Sequence, residues 1–592
     1  NKGQNKQAKD LINQLKIKYP NNIHSYIQAG SLDITIGDYQ DAIKMYRQAL
    51  KINSDYGVAN NGLSIVIYNL IRNQQKEIKL LDLDVNDYSK IDMDSLKKVF
   101  INYDDLTDKQ KKIVAYSIYH LKNYLPILAE VKSTHYLIPL YEKSTDYKFG
   151  QEFKNQRSFD NRLWDDIRGR GGVNSATGIE DLQTSIYLDF NTLAHEFAHQ
   201  VHGFAFTKKQ TSRILELYNN AQKNNLFLDY YAGSNEYEYF AQGVEAYTCT
   251  QGKLTLKSTA KNTRELLKNK DKALYDFIEE VINKTDLKEN QSDAYIRSAD
   301  TAFYQSDYKT AIDNYNKSLA LAPESFDTYY LLANTYYQDG DIKESIFNYK
   351  KIIKSQQDAY YAYFGLANDY LIMGRLDQAK EYYEKGLKLD NTNSSAYGEF
   401  ARVQVELGDQ RYAEKLANNS IDFDKDSAVG FSSLSLVKAS KLDFNEAIIN
   451  ADKSISLDLG NNLYKIRKAY ILAYSGASIK AYSIIKEVTD NYEKNEAVRY
   501  EYDKDKKKYL YYNIKDIPTK AEYYYTLGYI KQSEDNIEEA VKYYQKSIDT
   551  LPYFNKPYKR LQTLVDSNKV SKEQKESVKN SIIKFNSIIK DL

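Results

Sequence analysis

This sequence of 592 residues has only one cysteine, no long apolar run and no excess of either charge. Its single cysteine, Cys249, excludes an internal disulfide and a zinc cluster built from thiolates, and one thiol suits a reducing cytosol and secretion equally well. No run of about 18 apolar residues is present, so no membrane-spanning helix is predicted. The 82 basic and 81 acidic side chains nearly cancel and form no basic stripe, which argues against nucleic-acid binding.

A repeat with a period of about 34 residues organises the second half of the chain. Small residues recur at this spacing in two series, one from Ala299 to Ala469 and one from Ala311 to Ala481. A third series lies between them and predicts the turns: Ser306, Gly340, Gly374, Gly408, Leu442 and Gly476. The pattern predicts a helix, a short turn and a second helix in each unit. A heptad coiled coil is excluded because its period is far shorter.

These six consecutive units resemble the tetratricopeptide repeat, which implies stacked helix pairs suited to binding a protein partner. Another unit follows an off-register stretch around 489–519, and 571–592 is typical of a capping helix. The same spacing appears near the start, with Gly37 as the turn, and it places the first residues inside a repeat. We therefore expect that residues upstream of Asn1 have been removed.

The repeat pattern divides the sequence into three predicted domains. Tetratricopeptide-like repeats occupy 1–72, a domain without the period occupies 73–289, and the long repeat array with its capping helix occupies 290–592. The middle domain contains the only tryptophan and five of the six histidines, so we expect the chemistry there.

An HExxH motif in the middle domain is formed by His195, Glu196 and His199. On a helix, two histidines four residues apart share one face, about 6 Å apart along the axis, and can bind one Zn²⁺. Glu196 lies next to them and can reach a metal-bound water as general base. The alternative is a buried helix whose histidines are only hydrogen-bonded.

The third zinc ligand is predicted at Glu238, in an ExxA segment of another amphipathic helix. The alternative for Glu238 is a capping box with Asn235 as the N-cap. His202 lies about 10 Å from His195 along the helix axis, too far to complete the site, so a supporting structural role is predicted for it. Glu245 is predicted to support the site from behind the ligands.

Three features resemble the anthrax lethal factor type of metallopeptidase and its Pro-Pro endopeptidase relatives. They are the HEFAH sequence, the interval from His199 to Glu238, and the position of Tyr231 seven residues before Glu238. The resemblance is confined to about 160–250. It implies that Tyr231 donates to the oxyanion, whereas a merely packed Tyr231 is the alternative. It also favours a secreted or cell-surface bacterial protein. Pro-Pro specificity is not carried over, because the residues that set it are not recognisable.

A glycine-rich segment upstream contains Arg168, Gly171 and Gly172 and precedes the apolar run 186–188. In zinc peptidases of this build, a strand before the HExxH helix pairs with the extended substrate, and glycine lets a peptide backbone approach closely. These residues are therefore candidate substrate contacts, with an ordinary loop as the alternative.

The sequence as a whole predicts a mainly α protein, in which tetratricopeptide-type α-solenoid segments flank an α+β zincin-like metallopeptidase domain. The predicted function is a zinc-dependent endopeptidase with one Zn²⁺ per chain, whose repeats recruit a protein or peptide substrate. The alternatives are a quality-control metallopeptidase and an inactive or weakly active repeat scaffold for protein–protein interaction.

Overall fold

The structure is a computed structural model that describes most of the chain and is mainly helical. The described residues are 5–74, 90–139, 142–158, 163–172, 174–179, 181–184, 190–249, 262–493, 498–503, 508–513, 516–590 and 592. Within these ranges no helix is both long and apolar enough to cross a membrane. The chain divides into two compact units, Asn1–Ala294 and Tyr295–Leu592. The apolar run at 186–188 lies outside the described residues.

The first unit begins with helices that enclose a small core of their own. They are α1 (Asn5–Lys18), α2 (Ile23–Ile36), α3 (Tyr39–Ile52) and α4 (Gly57–Gln74). Tyr46 of α3 is fully buried in this core. A Cβ atom added at Gly30 or Gly62 would lie 2.8 or 2.4 Å from the Tyr46 ring, so both neighbouring helices need glycine where they touch it.

The rest of the first unit is built around a second core that holds the HExxH helix. Its helices are α5 (Met93–Val99), α6 (Asp108–Ile118), α7 (Leu125–Glu130), α8 (Asp181–Thr184), α9 (Thr192–Phe204), α10 (Lys208–Asn224), α11 (Glu236–Thr248), α12 (Arg264–Lys270), α13 (Lys272–Asn283) and the first part of α14 (Lys288–Tyr304), a helix that continues into the second unit. Short 3₁₀ helices lie at Tyr103–Asp105, Tyr119–Tyr124, Ser144–Asp146, Gln151–Phe153 and Trp164–Asp166.

Two parallel strands, β1 (Thr134–Ile138) and β2 (Asn174–Gly178), accompany these helices. Thr134 pairs with Asn174 and Ile138 with Gly178. Strand β2 contacts α9, which places a small sheet beside the HExxH helix. The zincin-like assignment of this part of the chain stays a prediction.

The second unit consists mainly of paired helices at the predicted period. They are α15 (Tyr308–Leu321), α16 (Phe326–Asp339), α17 (Ile342–Ser355), α18 (Tyr360–Ile372), α19 (Leu376–Leu389), α20 (Ser394–Leu407), α21 (Gln410–Phe423), α22 (Ala428–Ser440), α23 (Phe444–Leu457), α24 (Asn462–Tyr474), α25 (Ser478–Glu493), α26 (Ile517–Ser533), α27 (Ile537–Thr550), α28 (Asn555–Asp566) and α29 (Lys572–Lys590). A two-stranded antiparallel hairpin, β3 (Val498–Asp503) with β4 (Lys508–Asn513), interrupts them in the off-register stretch.

All six predicted turn positions adopt a left-handed backbone conformation. Their φ angles are 56° at Ser306, 83° at Gly340, 71° at Gly374, 85° at Gly408, 62° at Leu442 and 84° at Gly476. At several turns the next residue is an aspartate that caps the following helix, as Asp341 does by accepting the N–H of Glu344. This turn chemistry ends one helix and starts the next within two residues, which explains the regular period.

Buried tyrosines recur in the second helix of successive pairs and explain part of the high tyrosine content. Tyr315 donates to Asp300 at 2.5 Å and Tyr349 donates to Asn334 at 2.6 Å. Tyr383 donates to Asn368 in the same way. Each ring fills the space between helices, while its hydroxyl reaches a polar side chain on the preceding helix.

The division between the units falls inside α14, a few residues after the predicted boundary at 289/290. The predicted domains 1–72 and 73–289 both lie in the first unit. The helix predicted over 571–592 corresponds to α29, whose Phe585 packs on Tyr558 with ring centroids 4.5 Å apart.

Candidate metal centre

Helix α9 presents both motif histidines on one face. Asn191 caps the helix, and its side chain accepts the N–H of Ala194 at 3.0 Å. Leu193 and Phe197 are fully buried on the other side. The apolar face thus fixes the rotation of the helix, and His195 and His199 face a cleft of about 420 Å³.

Helix α11 brings Glu238 to the same place. Its N-cap is Asn235, whose side chain accepts the N–H groups of Tyr237 and Glu238. The Glu238 carboxylate points away from this cap, and its Oε2 lies 3.0 Å from His195 Nε2 and 3.4 Å from His199 Nε2. Asn235 therefore caps the helix as the alternative interpretation requires, but the Glu238 side chain is directed at the histidines.

The three donor atoms form a nearly equilateral triangle. The two histidine Nε2 atoms are 3.1 Å apart, which adds to the 3.0 and 3.4 Å separations from Glu238. A tetrahedral zinc ion with bonds of ~2.0–2.1 Å holds its ligand atoms about 3.3 Å apart. The donor set and its spacing therefore fit one Zn²⁺ with a fourth position open. Among the described residues, this is the one group of three or more such side chains with metal-binding spacing.

The protonation states also fit a metal site. Burial lowers the pKa of His195, which favours the neutral imidazole that binds metals. Burial alone would raise the pKa of the Glu238 carboxyl, but the adjacent imidazoles of His195 and His199 hold that pKa well below its usual range. No lysine or arginine in the described ranges forms an ion pair with Glu238. A cation at the triangle would balance this partly buried carboxylate.

Tyr231 lies beside the three donors. Its hydroxyl is 3.4 Å from Oε1 of Glu238. The Asp229 side chain accepts the N–H groups of Tyr231 and Ala232 at 3.0 and 2.9 Å, which fixes the turn before α11. The neighbouring Tyr230 is 88% exposed. Of the two adjacent tyrosines, only Tyr231 lines the cleft.

The glycine-rich segment forms a wall of the cleft. A Cβ atom added at Gly171 would lie 2.8 Å from Cβ of His199, and one added at Gly169 would lie 2.5 Å from Oε1 of Glu196. Gly172 has a φ of 134°, which residues with side chains rarely adopt. Glycine is therefore required here because the backbone touches the HExxH helix directly.

Arg168 does not line the cleft with these glycines. Its guanidinium donates to the carbonyls of Ile138 and Pro139 at 2.9 and 3.0 Å, and also to the carbonyl of Glu142. Arg168 thus ties the glycine-rich segment to the end of β1. The cleft is lined instead by Arg170, whose guanidinium stacks 4.3 Å from the centre of the Phe153 ring.

His202 and Glu245 are buried and are not part of the triangle of donor atoms. His202 is 1% exposed, and its ring stacks on Tyr237 with centroids 4.5 Å apart. Glu245 is also 1% exposed, and its Oε1 accepts the N–H of Asn191, the N-cap of α9, at 2.9 Å. Burial raises the pKa of the Glu245 carboxyl to about 8. Glu245 thereby links α11 to the start of the HExxH helix.

A buried histidine that the motif analysis missed joins the sheet to α9. His135 of β1 contacts Gln200 Oε1 through Nδ1 and Thr177 Oγ1 through Nε2, both at 2.8 Å. Gln200 in turn donates to Ser133 and to the carbonyl of Thr134. A lone histidine in a short strand has no motif around it, so only its contacts identify this role.

Comparisons with known proteins identify the repeats. Models of the tetratricopeptide repeat match residues 23–56, 326–358 and 521–550, and further models described as "TPR repeat" and "Tetratricopeptide repeat" match 299–340 and 360–393. The chain contains tetratricopeptide repeats. These matches lie outside the segment that holds the candidate metal centre. No curated protein matches the chain at a significant level.

Several solved structures resemble parts of the chain. A tetratricopeptide repeat protein from Parabacteroides merdae is 14% identical, with 44% of this chain and 93% of that chain covered and a TM-score of 0.31. TTC0263, a thermophilic TPR protein of Thermus thermophilus, is 18% identical over 31% of this chain and 98% of its own, with a TM-score of 0.29. YrrB, titled a TPR protein with an unusual peptide-binding site, is 19% identical over 30% of this chain and 91% of its own, with a TM-score of 0.22.

Proposed function

We propose that the chain is a zinc-dependent endopeptidase whose tetratricopeptide repeats bind a protein substrate or partner. The family-model matches support the binding role of the repeats. The peptidase role rests on one observation, the triangle of donor atoms from His195, His199 and Glu238, whose sides measure 3.0, 3.1 and 3.4 Å. A location outside the bacterial cell or on its surface is part of the proposal and rests on the family resemblance alone.

In this proposal His195, His199 and Glu238 hold one Zn²⁺. The chemistry that a bound zinc ion supplies is Lewis acidity, which makes a water molecule a nucleophile at neutral pH. The side chain of Glu196 lines the same cleft and is 6% exposed. Its carboxylate takes the proton of the attacking water and returns it to the leaving amine.

In this proposal Tyr231 and the glycine-rich segment contact the peptide substrate. The Tyr231 hydroxyl donates to the carbonyl oxygen as negative charge develops there, an interaction of a few kcal/mol in comparable sites. Gly172 leaves room for a peptide backbone, because a Cβ atom added there would meet only the carbonyl oxygen of Asn174 at 3.9 Å, whereas Gly171 brings this wall close to His199. The cleft of about 420 Å³ has room for a short stretch of peptide beside the three donors.

The second candidate is a repeat scaffold without significant peptidase activity. The observation that favours it is that the family-model matches cover repeats alone. A quality-control metallopeptidase is a third interpretation, which shares the catalytic site of the first and differs in its substrates.

Cleavage-site profiling of a protein mixture distinguishes the enzyme from the scaffold. We expect the zinc-loaded wild type to generate new peptide termini, and Glu196→Gln to keep its zinc and fold while losing about 10³-fold or more of the rate. Glu265→Gln, on the exposed surface of α12, is a matched control that should cleave like the wild type. Equal cleavage by Glu196→Gln would reject the assignment of the base, and zinc-loaded protein without any cleavage would favour the scaffold.

A further inference from the structure

The second unit contains a cavity of about 520 Å³ that the peptidase proposal does not use. Its walls come from the first helices of successive repeats, α20, α22 and α24, together with α26 and α28. Equivalent repeat positions meet there, since Arg402, Leu436 and Tyr470 occupy the same place in three successive repeats. The repeat period therefore assembles this cavity from distant parts of the sequence.

Basic side chains outnumber carboxylates in the lining of this cavity. The basic residues are Arg402, Arg467, Lys556, Lys559 and Arg560, and the acidic residues are Glu406 and Glu522. Which of these cations are already neutralised decides whether the cavity can bind an anion.

Arg402 and Arg467 are neutralised within the protein. Arg402 donates to Glu399 and, at 3.2 Å, to Glu522. Arg467 lies 3.9 Å from Glu399 and 3.8 Å from Glu522. These two arginines and two carboxylates form a closed cluster that carries no net charge.

Lys556 is also paired, because its Nζ lies 2.8 Å from Glu406. The remaining cations are Lys559 and Arg560 on α28, and neither forms an ion pair with a carboxylate in the described part of the chain. Lys559 is exposed at the edge of the cavity.

Tyrosines hold the guanidinium of Arg560 in place. Its Nε donates to the hydroxyl of Tyr525 at 3.4 Å, and Nη2 donates to the hydroxyl of Tyr470 at 3.5 Å. The guanidinium carbon also lies 4.7 Å from the centre of the Tyr529 ring. A cation fixed in this way loses little conformational freedom when it binds a carboxylate.

Not every cavity of the second unit has basic residues in its described lining. A second cavity in the same unit, of about 530 Å³, is lined by tyrosines, asparagines and other uncharged residues, with Glu399 as the one charged residue among its described lining. The positive charge thus distinguishes the cavity around Arg560 from this tyrosine-lined cavity.

We propose that the cavity around Arg560 binds an acidic peptide segment of a partner or substrate protein. Arg560 pairs with one carboxylate inside the cavity, and Lys559 pairs with another at the edge. Arg560 lies within the cavity and exposed Lys559 at its edge, so two carboxylates spaced along a peptide can pair with the two cations. This favours a segment with at least two acidic side chains over a lone carboxylate. The proposal does not depend on catalysis at the candidate metal centre.

Fluorescence anisotropy with the full chain tests this proposal. The probe is a short labelled peptide of alternating Glu and Gly, and its control has Gln in place of Glu. We expect Arg560→Gln to weaken binding of the Glu peptide about 10- to 100-fold, as loss of a hydrogen-bonded charge pair does. Lys559→Gln should weaken it about 2- to 5-fold. Arg411→Gln, an exposed arginine on α21 outside the cavity, should leave the affinity unchanged.

Further variants and probes separate the effect on peptide binding from an effect on folding, and they test this proposal independently of the peptidase proposal. Arg560→Lys keeps the charge and should restore most of the affinity lost in Arg560→Gln. If Arg560→Gln fails to fold, an unchanged affinity of Lys559→Gln overturns the proposal. Equal binding of the Gln peptide, or Arg560-dependent binding of an oligonucleotide as tight as that of the Glu peptide, also overturns it. Glu196→Gln should bind the Glu peptide like the wild type, whether or not the chain is a peptidase.

Discussion

Replacing Glu245 by Gln removes a buried ionisable group from the first unit with little change in shape. The carboxylate is 1% exposed, and its Oε1 accepts the N–H of Asn191 at 2.9 Å. Burial raises the pKa of this carboxyl to about 8 from an ordinary value of 4.5. Gln keeps the acceptor oxygen for Asn191 and is uncharged at every pH.

The direction of the effect follows from proton binding. Between pH 4.5 and about 8, folded Glu245 holds a proton that the unfolded chain has released, so the free energy of unfolding falls as the pH rises. Each pH unit in this window corresponds to about 1.4 kcal/mol. The cost of the buried carboxyl is therefore about 3 kcal/mol at neutral pH and about 5 kcal/mol above the folded pKa.

Chemical unfolding of the wild type and Glu245→Gln across this pH range measures the effect. We expect the stability of the variant relative to the wild type to increase from acid pH upward and to level off above about pH 8. Glu265→Gln removes an exposed carboxylate and should show no comparable gain. A stability difference that stays constant with pH, or that favours the wild type as the pH rises, would refute the reasoning.

Three other predictions address the metal centre and the repeats. Glu238→Ala should lose most of the zinc that the wild type binds, about one ion per chain, whereas Glu236→Ala on the same helix should keep it; metal analysis of dialysed protein measures both. Tyr231→Phe should keep zinc and lower kcat by about 10- to 1000-fold, whereas Tyr230→Phe should not, as peptide-cleavage kinetics would reveal. Leu442→Gly should raise the free energy of unfolding by about 0.5–1 kcal/mol in denaturant titrations, because a left-handed residue without Cβ is unstrained.

Controls for these predictions come from the same chain. Gly408 has a φ of 85° and open space around its missing Cβ, so Gly408→Leu should destabilise by about 1–2 kcal/mol through backbone strain alone. Leu442 is 64% exposed, so little apolar burial is lost in Leu442→Gly. A destabilised Leu442→Gly, zinc loss in Glu236→Ala in place of Glu238→Ala, or full activity of Tyr231→Phe would each contradict the corresponding prediction.

Features that depend on nearby residues could be predicted from the sequence. The repeat period placed all six turns, and each of them has a positive φ, including Ser306 and Leu442, which are not glycine. The HExxH spacing likewise put His195 and His199 on one face of α9. Helix periodicity, caps and tight turns are set by contacts within a few residues, so the sequence pattern carries them directly.

Only the tertiary structure decided the features that join distant segments. The orientation of Glu238 depends on how α11 packs against α9, since Glu238 and His195 lie far apart in the chain. Arg168 was predicted to contact the substrate, but its guanidinium instead donates to backbone carbonyls near the end of β1. The His135 contacts and the cavity around Arg560 had no sequence signal of their own. Each depends on side chains that meet only after the helices and strands have packed, and no local pattern encodes that packing.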